Sequence, residues 1–138
     1  MTKQLTVGVT GAAGFIGSCI SRQLAFNGFN VIGIDNLSKG SKKRIKDVKG
    51  SFKFFKIDLL DAKETARALK GVNVIVHLAA FKIPRYGDRI DTLLVNTKTT
   101  ENILNAAVKN HSKVIFSSTS DVYGKKEDFP FKEDGNLV

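Results

Sequence analysis

The segment VTGAAGFIG, residues 9–17, constrains the fold more than any other part of the chain. It follows a β-branched run, LTVGVT (residues 5–10), and opens an amphipathic stretch that reaches Phe26. Gly11, Gly14 and Gly17 therefore sit between a strand and a helix. Such a junction needs glycine in three places: at the tight turn, where backbone must approach a ligand, and where the helix crosses the strand closely. The first helical turn then directs its free N–H groups outward, an arrangement suited to a pyrophosphate. Two residues, Ala12 and Ala13, separate the first glycine pair, one more than in the commonest form of this turn.

The rest of the chain repeats the strand-then-helix alternation that builds a parallel sheet covered by helices. A first helix is expected over residues 14–26, with Ile16, Ile20 and Leu24 on one face, Cys19 on its apolar side, and Asn27-Gly28 as its stop. FNVIGID (29–35) reads as a second strand and SFKFFKID (51–58) as a third that buries its phenylalanines. Asp61 is expected to cap a helix through Leu69, with Glu64 completing a capping box and Lys70-Gly71 ending it. VNVIVHLAA (72–80), apolar nearly throughout, fits a strand buried on both faces, and His77 within it fits a packed strand-end histidine better than a catalyst. A long helix over about 88–109 and a fifth strand, KVIFSS (113–118), follow. The expected fold is α/β: a Rossmann-type parallel sheet of about five strands with helices on both faces, in three layers. Residues 1–124 form the dinucleotide-binding domain, and the polar, aperiodic stretch 125–138 forms a loop or tail.

At 138 residues the chain is long enough for one core. A single cysteine rules out an internal disulfide, and with two histidines beside it no ligand set for a metal emerges. The N-terminus is neither a signal peptide nor a membrane span, so the expected setting is the cytoplasm. The net charge of +9 concentrates in Lys39, Lys42, Lys43, Arg44, Lys46, Lys49, Lys53 and Lys56, opposed locally by Asp47. No aromatic residues suited to base stacking alternate with these lysines. The segment thus reads as a solvated, mobile loop beside a sheet edge, and nucleic acid is not an expected partner.

Asp35 ends the second strand about twenty residues beyond the glycines, where a carboxylate can accept hydrogen bonds from an adenosine ribose. This favours NAD. NADP is the second choice, because a 2′-phosphate would be repelled by Asp35 even with Lys39, Lys42 and Lys43 nearby. TGAAGFIG, DNLSKG (35–40), DLLD (58–61), HLAA (77–80), VNTKTTENIL (95–104) and SSTSDVYG (117–124) occur in that order. Together they resemble the N-terminal part of an extended short-chain dehydrogenase/reductase, in the NAD-dependent epimerase/dehydratase branch that acts on nucleotide sugars. The resemblance implies that Gly11, Gly14, Phe15, Ile16 and Gly17 wrap the pyrophosphate, that Asp35 and Asn36 take the adenosine ribose, and that Asp58 and Leu59 meet the adenine edge. It also implies that Leu78, Ala79, Ala80 and Lys82 line the nicotinamide side, with Asn96 bracing the sheet behind them.

In the family that this chain resembles, a tyrosine with a lysine four residues later moves the proton, and a serine or threonine hydroxyl holds the substrate oxygen. Tyr86 is followed at that spacing by Ile90 and Tyr123 by Glu127, so neither fits. A glutamate near a phenol raises its pKa, the wrong direction for a base. The resemblance assigns the hydroxyl role to Thr119, places Ser117 and Ser118 beside the cofactor, and makes Tyr123 structural. Ser120-Asp121 stands where nucleotide-sugar dehydratases tend to carry an acidic pair. With DNLSKG, this favours a UDP-glucose 4-epimerase-like reaction over a dehydratase or reductase. A non-catalytic NAD-sensing or nucleic-acid-binding module is the reading from a different class. The catalytic Tyr-x-x-x-Lys is expected beyond Val138, so the 138 residues should bind NAD without turnover. Family members pair through long helices, and an uncovered sheet edge here should promote a homodimer or self-association.

Overall fold

Five strands, β1 (Thr6–Thr10), β2 (Asn30–Asp35), β3 (Phe52–Lys56), β4 (Val74–His77) and β5 (Lys113–Phe116), form one sheet in the computed structural model, which describes residues 4–81, 89–124, 130, 132 and 133. All neighbours are parallel, in the order β3-β2-β1-β4-β5. The order reverses between β1 and β4, the point at which the carboxyl ends of the strands open a crevice in sheets of this kind.

Alternation along the strands divides the core in two. Val7, Val9 and Val31 pack with Ala12 and Ala25, and with Ile20 and Leu24 of α1 (Phe15–Phe26), on one face. Ile34 and Ile75 pack on the other face with Ala68 of α2 (Ala62–Ala68), with Leu69, and with Ile103, Ala106 and Ala107 of α3 (Arg89–Asn110). The result is the expected three-layer α/β/α architecture.

Local chemistry sets the element ends. Asp61 caps α2, its Oδ1 accepting the Glu64 N–H at 2.9 Å. The reciprocal half of the expected capping box is missing, because Glu64 pairs with Arg67 instead. Gly28 and Gly71 end α1 and α2 with positive φ, as their positions in the sequence suggest. β4 is shorter than the apolar run 72–80, since Leu78 and Ala79 leave the ladder and donate their N–H groups to the Thr10 hydroxyl. β5 ends at Phe116, ahead of Ser117 and Ser118.

Two expectations for α1 need correction. Its buried stripe is Gly17, Ser18, Ser21 and Ala25, and both Cys19 and Ile16 are exposed. Small residues let the helix lie close to the sheet, and Cys19 is two positions from Gly17 and from Ser21, about 200° round the helix axis. The basic segment keeps its lysines exposed beside the edge strand β3, as expected of a solvated loop, but it is also anchored to the fold. Residues Lys42–Arg44 form a 3-10 turn, Ile45 is buried, and Ser41 N–H and Arg44 Nη1 both reach the Ala13 carbonyl, at 2.9 and 3.4 Å.

Candidate functional site

The glycine turn is built by backbone contact. Gly11 has φ +67°, and a Cβ there would lie 3.1 Å from the Ala79 nitrogen. A Cβ on Gly17 would lie 2.1 Å from the Gly11 carbonyl oxygen, closer than atoms can approach. The helix start therefore rests directly on the turn. Gly14 is the N-cap of α1 and supplies no capping side chain, so the first-turn N–H groups are left for a ligand or solvent.

Asp35 ties this turn to the next loop. Its Oδ2 accepts the Ala13 N–H at 3.0 Å and its Oδ1 accepts the Leu37 N–H at 2.7 Å. Each oxygen retains a lone pair for a ribose hydroxyl. Asn36 donates to Asp58 Oδ2 at 3.2 Å, and Asp58 Oδ1 accepts the Leu60 N–H at 3.0 Å. Buried Asn102 of α3 fixes the same loop from below, donating to the Leu59 and Leu60 carbonyls at 2.8 and 3.2 Å. Asn96, also on α3, accepts from the Phe81 N–H and donates to the Phe81 carbonyl, at 2.6 and 3.0 Å.

A crevice of about 700 Å³ runs along these ends. Gly11, Gly14, Phe15, Asp35, Asn36, Asp58, Leu59, Leu78, Ala79, Ala80 and Asn96 all line it, joined by Lys39, one of the lysines expected near a 2′-phosphate, and by Ser38, Gly40, Arg44 and Thr99, which sequence reasoning did not assign to the site. Gly17 lies behind the turn. Ile16, Ser117, Ser118 and Thr119 are exposed and are not among the lining residues. Thr119 caps the 3-10 turn Ser120–Tyr123 by accepting the Asp121 N–H at 3.2 Å. Lys82 and Tyr86 lie outside the described residues. Among the described residues no cluster of metal-ligating side chains occurs, and no helix is long and apolar enough to cross a membrane.

His77, at the end of β4, is 3% exposed and bonded through Nδ1 to Thr10 Oγ1 at 2.7 Å. Burial pushes its pKa below the ordinary imidazole value, because a charged ring would lose its hydration there.

A parallel sheet with a glycine turn, a strand-end carboxylate and a crevice at the order reversal defines a dinucleotide-binding α/β domain. The chain belongs to the NAD dependent epimerase/dehydratase family, whose profile matches residues 7–137. It is 38% identical over 132 residues to a UDP-N-acetyl-alpha-D-glucosaminuronate decarboxylase of Bacillus cytotoxicus, covering 94% of this chain and 41% of that one. It is 34% identical to a UDP-glucose 4-epimerase of Bacillus subtilis, covering 91% and 40%. Among solved structures, the UDP-N-acetylglucosamine 4-epimerase of Methanobrevibacter ruminantium superposes with a TM-score of 0.84 at 33% identity, over 99% of this chain and 45% of that one. DesIV, a dTDP-glucose 4,6-dehydratase of Streptomyces venezuelae with NAD bound, gives 0.81 at 32% identity, over 97% and 45%. The chain thus spans about two fifths of the length of the curated relatives it matches.

Proposed function

We propose that this chain is the NAD-binding part of an enzyme that epimerises a nucleotide sugar at a hydroxyl-bearing carbon. The observation that carries the proposal is the convergence of the glycine turn, Asp35, Asp58 and the 78–80 segment on one crevice. The residues present fit the dinucleotide: the uncapped start of α1 suits a pyrophosphate, and the remaining Asp35 lone pairs suit a ribose diol. When bound, NAD would accept a hydride from the sugar carbon and later return it.

The chain's own residues divide the remaining work. Gly11, Gly14, Phe15, Ile16 and Gly17 hold the pyrophosphate, Asp35 and Asn36 the adenosine ribose, and Asp58 and Leu59 the adenine. Leu78, Ala79, Ala80 and Lys82 border the nicotinamide side, with Asn96 behind them and Ser117 and Ser118 at its margin. Thr119 offers the hydroxyl that steadies the substrate oxygen. The Asp35 carboxylate favours NAD over NADP, although Lys39 and Arg44 line the same crevice. Exposed Ile115 and Phe116 on β5, with Leu93, Leu94, Leu104 and Val108 on α3, support self-association. A cytoplasmic setting is part of the same reading.

The similarity to a uronate decarboxylase favours a second reading. Oxidation of the carbon β to a carboxylate gives a β-keto acid, which loses carbon dioxide readily, so the same cofactor half serves either reaction. Incubation with NAD and either UDP-glucose or a UDP-uronic acid, followed by NMR of the sugar, separates them. We expect the 138-residue chain to be inactive, and the chain continued into a tyrosine with a lysine four residues later to interconvert UDP-glucose and UDP-galactose. Decarboxylation of the uronic acid would select the second reading, and turnover by the 138-residue chain would contradict the assigned base.

A further inference from the structure

Thr10 and His77 end adjacent strands and are partners in the β1/β4 register, so their side chains share the α3 face of the sheet. The Thr10 hydroxyl has two lone pairs and one proton. Both lone pairs are engaged, because the Leu78 and Ala79 N–H groups each donate to Oγ1 at 3.1 Å. Its proton must then go to His77 Nδ1, 2.7 Å away. That leaves His77 neutral and protonated on Nε2, where it faces the Thr100 hydroxyl at 3.3 Å. The hydrogen-bond inventory thus selects one tautomer.

Among the described residues, the groups that face the ring are neutral. Thr10 faces it from β1, Thr100 from α3, and the Phe116 ring from β5, with centroids 5.7 Å apart and planes tilted by 47°. The ionisable residues beside Thr100 on α3, Lys98 and Glu101, are exposed and pair with each other at 2.9 Å.

We propose that His77 is a positioning residue: its neutral ring orients the Thr10 hydroxyl, which holds the Leu78 and Ala79 peptides against Gly11, so that protonation of His77 weakens dinucleotide binding. An imidazolium carries N–H on both nitrogens, and a third donor would then point at an oxygen that already accepts two. One of the two peptide N–H groups must let go. Those peptides lie against Gly11, whose added Cβ would sit 3.1 Å from the Ala79 nitrogen, and all three residues line the crevice. The sign follows from the burial of the ring. A histidine kept neutral by burial resists protonation in the fold, so the arrangement is intact above the ordinary imidazole pKa and is lost as pH falls through the lower folded value.

The proposal rests on the NAD reading, so the first readouts need no cofactor. Ring-nitrogen NMR of the full chain at about pH 8 should show His77 in the Nε2–H form. Protection of the Leu78 and Ala79 amides, taken relative to the intrinsic exchange rate at each pH, should fall as His77 is protonated. An Nδ1–H ring, or amide protection that stays constant through the titration, overturns the proposal. NAD affinity of the wild type should fall about tenfold as His77 is protonated, the equivalent of one lost hydrogen bond. His77→Asn, which keeps an acceptor toward Thr10 without titrating, should show a flat profile, as should Thr10→Val at uniformly weaker affinity. Thr10→Ser should restore the wild-type profile. A wild-type pH profile in both His77→Asn and Thr10→Val overturns the proposal. Absence of NAD binding at every pH, with the tautomer and exchange results as expected, refutes the NAD reading and leaves the hydrogen-bond arrangement standing.

Discussion

Replacing Gly17 by alanine is expected to abolish NAD binding and to lower the stability of the domain by about 3 kcal/mol, the upper part of the range for overpacking. The added Cβ would lie 2.1 Å from the Gly11 carbonyl oxygen and 2.7 Å from its carbon. Neither is a flexible side-chain end that can swing aside. Relief requires α1 to lift from the turn, which moves the N–H groups of its first turn away from the crevice. Calorimetric titration with NAD reads the first effect and urea denaturation the second. A stable Gly17→Ala protein with unchanged NAD affinity would show that the helix does not need its close seat on Gly11.

The second large effect is expected at Asp35. Asp35→Ala removes the acceptor of both the Ala13 and Leu37 N–H groups, unpinning the glycine turn and the β2 loop together. We expect roughly a hundredfold loss of NAD affinity, because two hydrogen bonds to a charged acceptor are lost along with the turn they position. Asp35→Asn keeps one acceptor oxygen and can satisfy one of the two N–H groups, so its loss should be intermediate. Equal affinities for Asp35→Ala and wild type in calorimetry would remove Asp35 from the site.

These two residues also show what the sequence makes legible. The strand, glycine turn and helix are contiguous, so spacing alone identifies the junction, and Asp35 follows because β2 lies beside β1. The Asp61 cap is legible for the same reason, since donor and acceptor are three residues apart. The Thr10–His77 bond spans 67 positions and exists only because β4 pairs with β1. Asn102 reaches the Leu59 carbonyl across 43 positions. No local pattern marks such pairs, because they depend on strand order and helix placement. Cys19 failed for a different reason. Assigning it to an apolar face assumed that the large residues of α1 mark the buried stripe, whereas close packing on the sheet selects Gly17, Ser18, Ser21 and Ala25. The anchoring of the basic segment was not legible, because it rests on Ile45, a single apolar residue among exposed lysines.

The most direct test of the account is an amide NMR titration of the 138-residue chain with NAD. We predict saturable shifts centred on Gly11 to Gly17, Asp35, Asn36, Asp58, Leu59 and the 78–80 segment, reproduced at higher concentration by NADP. No shifts at millimolar NAD, or shifts confined to the lysine-rich segment 39–56, would contradict the claim that this crevice is a dinucleotide site.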